Sequence, residues 1–235
     1  MTMNGARGYM TEGRWYLPTR RRIVKLRAFF DSAAMSTPGT VLVQKDEFHE
    51  LRAQYATIDL PSNWRFHLTE SEGMGDKFRE MWPVIKEGEW MGWLVDDLTA
   101  ETPNWDTKLI GQLNGKNFVS AYDGGQNPSR MCVPVFSHGL LNAVGYLYPP
   151  GFFHTYLDDV WEFLGRQTKC WLYDPSVKLN HHHGFREGQL TAGDDTERIS
   201  YSRMAQDKEA FDRWKKYVAL QSIQKIKALY VQTPA

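Results

Sequence analysis

With 235 residues, 42% of them hydrophobic, the chain is long enough to bury a core of its own and too apolar for disorder over most of its length. Lys plus Arg and Asp plus Glu both number 28, so no global field draws it to nucleic acid or a membrane surface, although a local basic patch would suffice for a nucleic acid. Two cysteines, Cys132 and Cys170, exclude a disulfide framework and a Cys-rich zinc site and make a reducing cytoplasm the expectation; no run approaches the roughly 18 apolar residues of a membrane span.

Residues 1–13 carry no pattern and no apolar signal-peptide core, and are expected to form a flexible leader. A short β-like run over 14–17 is closed by Pro18-Thr19-Arg20-Arg21-Arg22. Ile23, Leu26, Phe29, Phe30 and Ala33 then recur near helical spacing until Ser36-Thr37-Pro38-Gly39 stops the helix. TVLVQ at 40–44 is a second strand, 48–55 a short helix and 64–68 a third strand. Glu72-Gly73-Met74-Gly75-Asp76-Lys77 opens another helix carrying Phe78, Met81 and Trp82. Residues 90–95, WMGWLV, make a fourth strand that ends in Asp96-Asp97. Strands alternating with helices predict a parallel sheet covered by helices.

The second half is less regular. A helix is predicted over 103–113, strands over 118–121 and 131–136, and a helix from Ser137 or His138 to Val144. A rigid loop, YPPGFF, precedes Tyr156-Leu157-Asp158-Asp159, which heads an apolar helix. Strands are predicted over 169–173 and 177–179, the latter running into His181-His182-His183. The polar stretch 184–202 reads as a mobile loop. Phe211, Trp214, Tyr217, Val218, Ile223, Ile226 and Leu229 mark one long carboxy-terminal helix.

Four constellations fall at these strand ends, where open α/β sheets bind ligands. Asp96-Asp97 offers hard oxygen ligands suited to Mg2+ or Mn2+; a solvated acidic turn is the competing reading. On an extended segment His181 and His183 share one face, and imidazole with carboxylate suits Mn2+ or Zn2+; the competing reading is again a solvated turn. Asp158-Asp159 caps a helix start and is equally a candidate general base. Arg20, Arg21 and Arg22, with Gly73, Gly75 and Lys77, would cradle an anion such as pyrophosphate, although EGMGDK is neither a Walker motif nor a dinucleotide fingerprint.

With YLPTRRR, VLVQKDE, EGMGDK, WMGWLVDDLTAETPNWD, YLDDVW and LNHHHG in this order, the chain resembles the GT-A glycosyltransferases, nearest to compact family-2-like proteins of bacteria and phages, over about Trp15 to Trp214. The resemblance implies an α/β fold of the GT-A (nucleotide-diphospho-sugar transferase) type: a mainly parallel central sheet flanked by helices, with a carboxy-terminal helical extension. Residues 14–100 would bind a nucleotide-sugar, most commonly a UDP-sugar, and 101–190 would hold the acceptor and catalytic half. Residues 191–235 would form a loop and helix. By the same resemblance Pro18, Thr19 and Arg20 contact the nucleoside, Asp46 its base or ribose, and Lys77 the diphosphate or nucleoside. Asp96-Asp97 stands for the metal motif with Asp97 as the direct ligand, joined by His183 or, next, His181. Asp158 is the catalytic base and Asp159 the fallback.

Two departures qualify the likeness. Leu98 replaces the usual third-position acid of the metal motif. The acceptor half also lacks the Glu-Asp pair and the Gln/Arg-x-x-Arg-Trp segment of processive synthases. The implied reaction is therefore Mn2+- or Mg2+-dependent transfer of a single sugar to an acceptor hydroxyl. It is inverting if Asp158 is a true base and retaining otherwise. The acceptor would be a glycan or a hydroxylated DNA base, and the setting the cytoplasm of a bacterial or phage-infected cell. A nucleotidyltransferase and an inactive nucleotide-sugar- or carbohydrate-binding module are the rival readings.

Overall fold

The structure, a computed structural model, describes residues 13–85, 87, 89–124, 130–182 and 195–231, the side chains of 195–197 and 200 apart. In chain order the first half contains β1 (Gly13–Pro18), α1 (Ile23–Ala33), β2 (Gly39–Gln44), α2 (Lys45–Glu50), α3 (Arg52–Tyr55), β3 (Trp64–Thr69), α4 (Met74–Ile85), β4 (Trp90–Trp93) and β5 (Leu98–Ala100). The second contains α5 (Trp105–Ile110), β6 (Phe118–Asp123), β7 (Cys132–Ser137), α6 (His138–Val144), α7 (Leu157–Thr168), β8 (Trp171–His181), α8 (Asp195–Tyr217) and α9 (Ala219–Val231).

The strands form one sheet in the order β3-β2-β1-β4-β7-β6-β8-β5. The first four run parallel, as the strand–helix alternation predicts, and β6 and β8 are also parallel; β4–β7, β6–β7 and β5–β8 are antiparallel, so the sheet is mixed. Near-continuous apolar runs such as TVLVQ form central strands because both faces are covered. Successive residues then serve opposite layers. Trp15, Leu17, Val41 and Val43 pack with Leu26 and Phe29 of α1 on one side, while Tyr16 and Leu42 pack with Phe78 of α4 and Trp161 of α7 on the other.

The many tryptophans have a specific use in this sheet. Gly13, Gly39 and Gly92 lie opposite Trp90, Trp64 and Trp15 in register, and each glycine leaves the space its partner's indole occupies. A Cβ on Gly92 would sit 2.1 Å from Trp15 Cε3, and Trp15 is wholly buried with no room to withdraw. Gly92→Ala is therefore expected to cost about 1–3 kcal/mol by overpacking, read as a lower midpoint in urea denaturation.

Several boundaries differ from the sequence expectations. The helix expected over 48–55 starts earlier and splits into α2 and α3, because the Gln44 side chain caps it by accepting from Glu47 N at 2.9 Å. The strand β5 was not expected; three residues are too few to show a period. The strands expected at 169–173 and 177–179 are the two ends of β8, which bulges between its pairings with Ala121 and Tyr122 of β6. The described part of the expected 184–202 loop, from 195 onward, is helical, and the single long carboxy-terminal helix is two, α8 and α9, divided at Val218. Residues 1–12 of the expected leader lie outside the described residues, whereas Gly13 belongs to β1. Among the described residues no helix is long and apolar enough to cross a membrane.

Candidate active site

The carboxyl ends of β1 and β4 and the start of α4 open onto a cleft of about 600 Å3. Pro18, Thr19, Arg20, Arg22, Lys77, Asp96, Asp97 and His181 line it, and Ile199, Tyr201 and Met204 of α8 close the opposite side. A second compartment of about 490 Å3 adjoins it, with Trp93, Arg130, Tyr156, Asp158 and Asp159 in its wall. Met74, Val95, His154, Thr155, His181 and Met204 belong to both, so the two are neighbouring halves of one cleft.

Asp96 and Asp97 are buried side by side after β4. Asp96 uses both oxygens: Oδ2 accepts the Thr19 hydroxyl at 2.6 Å and Oδ1 accepts Arg22 Nη1 at 2.9 Å. Asp97 Oδ2 accepts the same Arg22 Nη1 at 3.1 Å, with Lys25 Nζ at 3.7 Å. Asp97 Oδ1 lies 3.1 Å from His181 Nε2 but has no aligned hydrogen-bond donor among the described residues. Burial favours the neutral acid at both positions. At Asp97 it is outweighed by His181, Arg22 and Lys25, which hold the carboxyl well below its usual range. At Asp96 burial, helped by the charge of Asp97, prevails over Arg22 and raises the carboxyl. Asp97 is thus the anion of the pair, with a buried oxygen still able to accept.

His181 ends β8 facing this corner, while His182 faces outward, its N–H donating to Asp97 O at 2.8 Å and its Nε2 2.8 Å from Thr99 Oγ1. The strand alternation expected for the histidine run holds for these two. His183 lies outside the described residues. Among the described residues no group of three acidic, histidine or cysteine side chains is set to hold a metal. Asp97 Oδ1 and His181 Nε2, 3.1 Å apart, are the carboxylate oxygen and imidazole nitrogen that could hold a divalent ion here.

Lys77 is almost wholly buried in the cleft wall, and its Nζ donates to the carbonyls of Thr19 at 2.7 Å and Leu42 at 3.4 Å. Burial, against the charge of Glu47, lowers its ammonium to about 8. It therefore ties the ends of β1 and β2 to α4. Arg20 lines the cleft and pairs with Glu72 at 3.3 Å. Arg21, Asp46 and Gly75 lie outside both compartments. The Arg21 guanidinium pairs with Glu50 on the outer face, and Asp46 is exposed in the first turn of α2. Gly75 N donates to Phe153 O at 2.9 Å, and a Cβ there would meet Phe152 O at 2.5 Å, so this glycine seats the loop before α7.

That loop is held by a residue the sequence did not single out. Asp207 of α8 is fully buried and accepts Phe153 N at 2.6 Å, His154 N at 2.9 Å, Thr155 N at 2.7 Å and Thr155 Oγ1 at 2.9 Å. Hydrogen bonds to a charged acceptor contribute more than neutral ones, and four orphaned donors would remain without it. Asp207→Ala is expected to lower stability by about 3 kcal/mol and to speed amide exchange at 153–155, measured by hydrogen–deuterium exchange.

Asp158 and Asp159 open α7 behind Tyr156, whose φ of 65° turns the chain into the helix. Arg130, also missed from the sequence, grips both: Nη2 donates to Asp158 Oδ2 at 2.8 Å and Nη1 to Asp159 Oδ1 at 3.0 Å. Asp158 is half-buried in the wall of the second compartment, its side chain 39% exposed. Partial burial, with the charges of Asp159 and Glu162 and against that of Arg130, pushes its carboxyl up to about 6.

No protein-family model matches the sequence, and no curated protein is similar to it at the level of sequence. Solved structures are similar in fold. Mannosyltransferase PcManGT from Pyrobaculum calidifontis, solved with GDP-Man and Mn2+, superposes with a TM-score of 0.57 at 12% identity, over 97% of this chain and 77% of that one. GalNAc-T7, solved with UDP, GalNAc and Mn2+, gives 0.51 at 11% identity over 74% of this chain and 44% of its own. TarS of S. aureus, residues 1–349, gives 0.50 at 11% over 72% and 59%. Helix-flanked, with a mixed sheet and a carboxy-terminal helical part, the chain has the GT-A fold of these glycosyltransferases.

Proposed function

We propose that the protein is a metal-dependent glycosyltransferase that moves one sugar from a nucleotide-diphosphate sugar to an acceptor hydroxyl with inversion. The observation that carries this reading is the divided cleft: the Asp97–His181 corner lines the first compartment and an acid tuned to about 6 lines the second. Asp97 and His181 would hold Mn2+ or Mg2+, Mn2+ being the ion present in PcManGT and GalNAc-T7, and the ion would take up charge on the departing diphosphate. Arg20 and the positive end of α4, at Gly73 and Met74, line the same compartment and favour an anionic donor there.

Asp158 faces the acceptor compartment. Its carboxylate takes the hydroxyl proton as the acceptor oxygen bonds to the anomeric carbon and the carbon–oxygen bond to the diphosphate breaks on the opposite side. A carboxyl near 6 is ionised at neutral pH but basic enough to accept a proton in the transition state. Trp93 and Tyr156 in the same wall would supply aromatic contact area for an acceptor, either a sugar ring or a base out of its stack. A glycan or hydroxylated DNA base is the acceptor this reading favours. The transfer of UDP- or GDP-sugars, scored by mass spectrometry with Mn2+ or Mg2+ against glycan and hydroxymethylated-DNA acceptors, tests it. The reading fails if no nucleotide-sugar is bound or turned over with either ion.

A further inference from the structure

Three carboxylates of α7 crowd one cation at the mouth of the acceptor compartment. Besides its bonds to Asp158 and Asp159, Arg130 brings Nε to 3.6 Å from Glu162 Oε1. Glu162 is buried, and its Oε1 also accepts Met131 N at 2.7 Å, so the main chain beside Arg130 is fastened to the helix that carries the acids. Two residues further on, Val133 has a φ of 45° at the irregularity between β6 and β7. A β-branched residue in that region is strained backbone at a bulge of β7, and Val133 lines the same compartment.

We infer that Arg130 is the positioning residue for the proposed base: its fork fixes Asp158 through Oδ2 in one orientation toward the acceptor while tying down Asp159 as a competing carboxylate. The inference rests on the proposed role of Asp158. Only a planar guanidinium can present parallel donors to two carboxylates; an ammonium offers one point charge. Without the cation, neighbouring carboxylates resist ionising together and retain a shared proton at higher pH. The groups facing Asp158 are Asp159 and Glu162 from α7, Arg130 ahead of β7, Tyr148 and His154 from the loop before α7, and His181 from β8 across the compartment.

The test is kcat/KM against pH for the wild type, Arg130→Gln, Arg130→Lys and the double variant Arg130→Gln/Asp159→Asn, with donor affinity measured by calorimetry. For Arg130→Gln we expect donor affinity within about twofold of wild type and transfer on the high-pH plateau reduced about a hundredfold, because the base is no longer held in line. The acidic limb should also move up by about one pH unit, so that a further, roughly twofold loss at pH 7 is regained as pH rises while the plateau stays low. Arg130→Lys, which keeps the charge and guards against a folding defect, should show a smaller shift, and removing Asp159 in the double variant should bring the limb back down. A uniform loss at every pH, or a limb that stays in place in both single variants, overturns the inference. If Asp158→Asn retains transfer, the base assignment itself fails; if Asp158→Asn is inactive and the limb of the Arg130 variants is unmoved, only the role of Arg130 falls.

Discussion

Asp158→Asn is expected to lower transfer about a thousandfold and to leave donor affinity within about twofold. The carboxylate lines the second compartment, the proposed acceptor side, and the first compartment, the proposed donor side, is lined by other residues. Single-turnover transfer beside calorimetric donor binding separates the two; equal loss of both would remove Asp158 from the base role. In the wild type the acidic limb of kcat/KM should fall as pH drops through about 6, the value to which burial and the neighbouring carboxylates push this acid. Stability should run the opposite way. A carboxyl raised above its ordinary value binds its proton more tightly folded than unfolded, so the folded state loses stability as pH rises from about 4 to about 6. Asparagine has no such dependence. The inactive variant should therefore melt at a higher temperature than the wild type near pH 7.5, and the difference should close below about pH 4. Because the side chain is partly open to the cleft, water screens some of the effect and its size will be modest. Lost activity together with gained stability is the signature of a group held in place for chemistry.

How far the sequence discloses this arrangement depends on the range of the interactions involved. The apolar runs of β1, β2 and β4 are legible because a strand buried on both faces has no polar alternation, and Asp96-Asp97 stands out because carboxylates seldom follow such a run at once. The amino-terminal turns of α8 are polar on most faces and carry no apolar stripe. They are placed by Asp207, which meets the loop at 153–155 from 52 to 54 residues away in the chain. Arg130 is equally silent: it follows a turn-rich stretch, and its meaning comes only from acids 28 and 29 residues further on. The glycine-rich start of α4 shows the other limit. Gly73 and Gly75 suggest an anion cradle by spacing, and Gly73 does line the cleft, but the amide of Gly75 is spent on Phe153 O. Spacing reports which backbone groups a segment exposes locally and is blind to what another segment brings to them.

The second large effect is expected at Asp97. Its carboxylate is 5% exposed and faces Arg22, Lys25 and His181. Asp97→Asn removes the charge that Arg22, Lys25 and His181 face, so stability should fall by about 3 kcal/mol, the cost of breaking a buried pair on one side. Folding loss alone, however, would not identify a metal corner. The decisive readout is the gain in melting temperature when Mn2+ and a nucleoside diphosphate are added together. A ligand pair at a hundred times its dissociation constant stabilises a folded protein by about 2.7 kcal/mol, and EDTA should erase that gain in the wild type. In Asp97→Asn it should be absent from the start. Asp96→Asn is the control, because both Asp96 oxygens already accept from Thr19 and Arg22 and neither is open to an ion. That variant should lose stability yet keep most of the Mn2+-dependent gain. The reverse pattern would move the ligand from Asp97 to Asp96. Loss of the gain in both would mean that the ion needs the charge of the pair and not one open oxygen.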